Sequence, residues 1–107
     1  VRYLLLICGE ESAAAHAADG CGGWTEEMAG RGALAASGGL RPAAEAKTVR
    51  VRRRKLLLAD GPFAETKEQI AGFCVIEAAD LAAAVEAAAR HPAAGYGTIE
   101  VRPMLPS

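Results

Sequence analysis

Aromatic residues are scarce in this chain: Tyr3, Trp24, Phe63, Phe73 and Tyr96 are the only five among 107 residues. Half of the sequence is nominally hydrophobic (51%), but much of that is alanine. Burial yields roughly 25 cal/mol per Å² of apolar surface, so a methyl group adds little, and the core of the single expected domain, residues 1–107, should be thin. Self-association is the expected remedy. An excess of one charge is also absent. Twelve basic residues face thirteen acidic ones, a net charge of −1, which provides no long-range field for nucleic acid or an anionic membrane. The longest strongly apolar run near the start, Leu4-Leu5-Leu6-Ile7, falls far short of the ~20 residues that span a bilayer, and no signal-peptide pattern follows it. A soluble, cytoplasmic protein without a membrane anchor is expected. Cys8, Cys21 and Cys74 cannot all pair within one chain and lack CxxC spacing, which favours a reducing compartment. No HExxH, histidine-rich or paired-cysteine pattern is present, so neither a metal nor a cofactor is expected.

What is present alternates between strand and helix signals. Residues 2–8 are apolar on both alternating faces, as suits a central strand covered on both sides. From Glu10 to about Ala36 the chain favours helix, with Trp24 and Met28 one turn apart, and Gly20, Gly22 and Gly23 either break that helix or allow close packing. Leu34–Leu40 suits a short strand ending in a turn before Pro42. Thr48–Arg52 alternates strictly and Lys55–Ala59 resumes an apolar strand, which together predict a hairpin, though its turn lacks Asn-Gly or Asp-Gly. Gly72–Glu77 is a further strand. Asp80 is placed to cap a helix over Leu81–Arg90 with Leu81, Val85 and Ala88 along one side, and Pro92 stops it. Thr98–Arg102 alternates into a closing strand.

This order is that of an α+β, ferredoxin-like βαββαβ core with an inserted β-hairpin, both helices lying on one sheet face. The other face then needs cover. A twofold homodimer packed sheet against sheet, with a sandwiched or barrel-like centre, would supply it.

Asp60-Gly61-Pro62 places a carboxylate, a permissive backbone and a fixed φ in succession, which is strong turn chemistry. On a structural reading, Asp60 accepts backbone N–H bonds from residues after Pro62, Phe63 plugs the core, and Glu65, Lys67 and Glu68 form a solvated charge cluster. On a functional reading, Asp60, Glu65 and Lys67 rim a ligand cleft. Both stay open. The run Asp60-Gly61-Pro62-Phe63-Ala64-Glu65-Thr66-Lys67-Glu68 resembles the signature of the DGPF (DGPFAETKE) family within the YCII-related superfamily. Arg2-Tyr3-Leu4-Leu5, Gln69-Ile70-Ala71-Gly72-Phe73 and Glu100-Val101-Arg102-Pro103 extend the resemblance over nearly the whole chain. It implies a dimeric α+β barrel, a fold whose wider circle includes small-molecule enzymes with clefts between helix and sheet. It does not imply a reaction.

YCII-related proteins outside that branch are associated with a proposed His-Asp pair. The corresponding positions here fall near Cys21 and on His91, the residue before Pro92, so the pair is absent. Cys21 and His91 are instead candidates for a thiol–imidazole couple, in which the imidazole accepts the thiol proton; Asp60 is the third catalytic candidate. The bland alternative is a packed cysteine and a histidine whose cation is favoured at a helix C-terminus. Candidate ligand-binding residues are Asp60, Glu65, Lys67 and Trp24. His16 reads as a solvated surface residue. Arg50-Val51-Arg52-Arg53-Arg54-Lys55 reads as a charged hairpin with no aromatic interleaved, so nucleic acid is not the expected partner. Gly30-Arg31-Gly32 resembles a dinucleotide fingerprint only superficially, because no strand precedes it. The expected function is small-molecule binding, extending to a cofactor-independent lyase, isomerase or hydrolase. The alternative, by resemblance, is a regulatory or interaction protein associated with alternative sigma-factor signalling.

Overall fold

The computed structural model describes residues 1–9, 22–63 and 69–106. Its first strand, β1 (Arg2–Gly9), pairs antiparallel with β5 (Gln69–Glu77) on one side and with β6 (Thr98–Pro103) on the other. The strand β2 (Leu34–Gly39) adds to the outer edge of β5, so the four-stranded order is β2-β5-β1-β6. The helices α1 (Gly22–Gly30) and α2 (Leu81–Ala89) complete an α+β arrangement consistent with a ferredoxin-like fold. Inserted between β2 and β5, the strands β3 (Lys47–Arg52) and β4 (Lys55–Asp60) form a separate two-stranded sheet. No helix among the described residues is long and apolar enough to cross a membrane.

Alternation along β1 sorts its side chains. Tyr3, Leu5 and Ile7 are buried with Cys74 and Ile76 of β5 beneath Trp24 and Met28 of α1 and Ala84, Ala87 and Ala88 of α2. Leu4 and Leu6 fall on the opposite face, in register with Val75 and Phe73, and all four are half-buried. The first strand is therefore central, as its two apolar faces required, and α1 and α2 lie together on one of those faces.

α2 corrects one expectation. Asp80 caps it as predicted, its Oδ1 accepting the Ala83 N–H at 2.9 Å, yet Leu81 and Val85 remain 48% and 50% exposed. The buried side is the alanine row Ala84, Ala87 and Ala88. Small side chains let the helix sit close over the sheet and the Trp24 ring, and the larger residues are turned outward. α1 ends in a Schellman motif: Ala33 N–H donates to Met28 O at 2.9 Å and Gly32 N–H to Ala29 O at 3.0 Å, with Gly32 at φ 69°. The apparent dinucleotide fingerprint is thus a helix terminus. Gly23 has open space where a Cβ would stand, so close packing does not account for it; Gly20, the other expected break, and His16 lie outside the described residues.

The hairpin turn also explains its unusual sequence. Arg53 and Arg54 both take positive φ, 52° and 65°, as a two-residue loop matched to strand twist demands. Arginine adopts that backbone at a cost of about 1–2 kcal/mol per residue, and the six cross-strand pairs between Lys47–Asp60 and Arg52–Lys55 hold the turn against it.

Candidate functional site

The Asp60-Gly61-Pro62 segment closes the base of the hairpin. Asp60 forms an ion pair with Lys47 across the β3–β4 ladder, its carboxylate largely exposed. Gly61, at φ 88°, donates its N–H to Ala46 O at 2.7 Å while its carbonyl accepts from Thr48 Oγ1 at 2.9 Å. Only glycine adopts that φ freely immediately before a proline, which itself restricts the preceding residue. The expected plug is corrected: Phe63 is 75% exposed, because its ring packs beside the exposed hairpin and not beneath the helices. Its ring lies 4.6 Å from the Arg50 guanidinium, which places an aromatic beside the basic run where the linear sequence showed none. Glu65 and Lys67 lie outside the described residues, as does Cys21.

Trp24 and His91 do meet. Trp24 Nε1 donates to Ala87 O at 2.9 Å, and the two rings stand edge to face, centroids 4.8 Å apart. Pro92 explains the position of His91: the residue before proline is pushed out of the helical region, and His91 takes φ −70°, ψ 135° after Arg90 ends α2. It then caps the short 3₁₀ helix Pro92–Gly95, its Nδ1 accepting the Ala93 N–H at 3.0 Å. With Nδ1 accepting, the neutral ring carries its proton on Nε2.

His91 is 2% exposed, and burial lowers its pKa from the usual 6.5. The expectation of a favoured cation at a helix C-terminus is therefore corrected; the capping bond at Nδ1 and the desolvated site both select the neutral ring. Cys21 lies outside the described residues, so the structure does not place the thiol of the expected thiol–imidazole couple. His91 can donate from Nε2, not take a proton there.

A depressed histidine pKa has a definite consequence for stability. Between the folded pKa and 6.5 the unfolded chain binds more protons, so stability falls as pH drops through 6.5 and levels off below the folded pKa. Urea titrations of the wild type should show this loss on acidification. His91→Asn, whose amide oxygen can still cap Ala93, should flatten that part of the profile; an unchanged slope would show that His91 does not carry it.

One concave feature lies over α1, α2 and the end of β5, a groove of about 290 Å³; another, of about 300 Å³, lies on the hairpin between Arg50, Leu57, Pro62 and Phe63. Met28, Ile76 and Ala87 form the apolar floor of the groove, and Arg31, Glu86 and Arg90 stand at its rim. One carboxylate, Glu27, accepts from Arg90 at 3.0 Å and pairs with Arg31 at 3.6 Å. Arg2 Nε donates to Glu77 Oε1 at 2.7 Å, and that bond holds the Glu77 carboxyl below its ordinary range. Ala87 belongs to this groove and also accepts from Trp24, so the Trp24–His91 pair stands directly behind its wall. The structure does not bring Asp60 into this group, because Asp60 belongs to the hairpin. The Glu27–Arg31 pair was readable from helical spacing; the Arg90 contact, 63 residues from Glu27, left no local signal.

A family model described as the YCII-related domain matches residues 1–107. An uncharacterised protein of Rhizobium meliloti (strain 1021) is 42% identical over 67 residues, which is 61% of this chain. The match spans about half (54%) of that relative's length.

Proposed function

The chain belongs to the YCII-related domain family, and on that footing we propose that it is a small-molecule-binding domain working as a homodimer, with its ligand in the groove between α1 and α2. The observation that carries this is the groove itself: an apolar floor with a few directed polar groups at the rim is the usual composition of a ligand site. Arg31 and Arg90 share one carboxylate, which leaves guanidinium donors for a second. A small carboxylate with an apolar body fits that chemistry. Binding, and no particular reaction, is what the geometry supports, because His91 is a neutral donor and Asp60 is committed to the hairpin. The Asp60–Phe63 segment favours the DGPF branch of the family. The half-buried row Leu4, Leu6, Phe73 and Val75 on the open sheet face favours pairing with a second copy, and the odd cysteine count favours a reducing cytoplasm. The alternative reading, an interaction protein in alternative sigma-factor signalling, draws support from the exposed apolar hairpin.

Ligand-observed NMR with a series of short-chain fatty acids tests the site. Arg90→Gln should weaken binding by about tenfold, the loss of one charge-assisted pair, and Ala83→Leu, which fills the groove, should abolish it. Binding that ignores both substitutions would place the ligand elsewhere; saturable binding to the wild type that each variant reduces supports the groove.

A further inference from the structure

The hairpin carries features that the α1–α2 groove does not use. Strand alternation places Thr48, Arg50 and Arg52 on one face, opposite Ala59, Leu57 and Lys55 of the second strand. Arg53 and Arg54 follow at the tip. The carboxylate of residues 47–60, Asp60, stands on the other face and is paired with Lys47. Among the described residues, none of Arg50, Arg52, Arg53, Arg54 and Lys55 enters an ion pair. Three such cations therefore share one face, and two more stand at its end.

Basic residues alone would serve to keep the strand edges from pairing with other strands. Phe63 asks for more. Its ring is largely exposed, yet its place is fixed by the turn before it: the Gly61 N–H donates to Ala46 O, the Gly61 carbonyl accepts from Thr48, and the ring of Pro62 sets its own φ. The Arg50 guanidinium lies over the ring, 4.6 Å from its centroid, as a cation–π pair. Arg50, Leu57, Pro62 and Phe63 together line the hollow of about 300 Å³ on this face. An aromatic ring held beside a row of arginines is the construction of a platform for single strands, where bases stack on the ring and the cations follow the backbone. The rise of a strand sets Arg50 and Arg52 about 7 Å apart, close to the separation of consecutive phosphates in an extended strand. An acidic peptide would engage the cations and leave the ring idle, and a duplex keeps the faces of its bases stacked inside.

We propose that the Arg50–Phe63 face of the hairpin binds single-stranded nucleic acid, with one base stacked on Phe63 over Leu57 and Pro62 and the adjoining phosphates on Arg52, Lys55 and the tip arginines. The run from Arg50 to Lys55 contains no aromatic residue; the fold supplies one from beyond the second strand. Base identity should matter little, since every base offers a face for stacking, whereas salt should matter strongly.

Fluorescence anisotropy of the full chain with a labelled oligothymidylate of about twelve nucleotides, a length within the usual site sizes, tests this. Between about 50 and 200 mM salt the logarithm of the binding constant should fall with that of the salt concentration at a slope of about −2, as three cations on phosphates require. Arg52→Gln should lessen that slope by about 0.7. Phe63→Ala should weaken the strand about tenfold with the slope kept, should leave binding of a duplex of the same length unchanged, and should be rescued by Phe63→Trp. Both side chains are exposed, so the circular dichroism of each variant should match the wild type. No saturable binding of the strand at low salt would overturn the proposal, as would binding that Phe63→Ala leaves intact. Thymidine monophosphate that binds as tightly as the strand would overturn it too, assigning the hollow to free nucleotides.

Discussion

Replacing Gly97 by alanine is expected to destabilise the fold by about 3 kcal/mol, the upper end of ordinary overpacking. Gly97 joins the 3₁₀ helix Pro92–Gly95 to β6, and its N–H donates to Ala93 O at 2.7 Å. A Cβ built there would collide with the carbonyl oxygen of Cys8, with Ala93 O 3.3 Å away on another side. Both neighbours are backbone, and Cys8 lies in the central strand beside the irregularity between Ile7 and Cys8, so its carbonyl cannot move without disturbing the β1 ladders. A loss of that size should lower the melting temperature by roughly 12–24 °C. Gly95→Ala is the control, because a Cβ at Gly95 meets nothing within 4 Å, and its effect should stay within about 0.5 kcal/mol. Denaturant melts that place the two variants together would show that β1 and the start of β6 do not approach this closely.

Trp24→Ala should cost about 3–5 kcal/mol, the range for removing a large buried aromatic. With so few aromatics in the chain, Trp24 fills the volume that the alanine face of α2 leaves between helix and sheet. Trp24→Phe separates the two contributions of the residue. It keeps most of the ring and loses the bond to Ala87 O, a net effect of about 1 kcal/mol, and Ala87 O still accepts the Arg90 N–H at 3.2 Å. The alanine variant should therefore be much the less stable in urea titration. Equal losses would mean that the indole bond, and not the packing of the ring, secures α2 and the groove wall.

Much of the fold was legible because its signals are local. Strict alternation located the hairpin, the central strand showed itself by being apolar on both faces, and Asp80 and Pro92 bracketed α2. Where the expectations failed, a tertiary neighbour decided the outcome. Leu81 and Val85 looked like the buried side of α2 by size, but the sheet and Trp24 admit only the small face. Phe63 looked like a core residue by type, yet just past the hairpin base its ring lies against Arg50 of the exposed hairpin. The candidate site was less legible for the same reason. His91 was correctly singled out by its place before Pro92, while its protonation depends on a backbone N–H two residues later and on burial that no spacing encodes. The contact between Glu27 and Arg90 arises only when α1 and α2 are laid side by side. Asp60 drew notice as part of a strong motif, and its contact to Lys47 across the hairpin is a long-range pairing that the motif does not spell out.

Behind the groove wall, His91 is a neutral ring protonated at Nε2 and acts as a hydrogen-bond donor there. Nitrogen–proton correlation spectra of its imidazole, recorded while pH is lowered through the ordinary histidine value of about 6.5, test this on the unmodified protein. The predicted result is an unprotonated Nδ1 and a protonated Nε2 that persist below that value while the other histidine, His16, provides an internal comparison. A ring that titrates at or above 6.5, or that carries its proton on Nδ1, would contradict it.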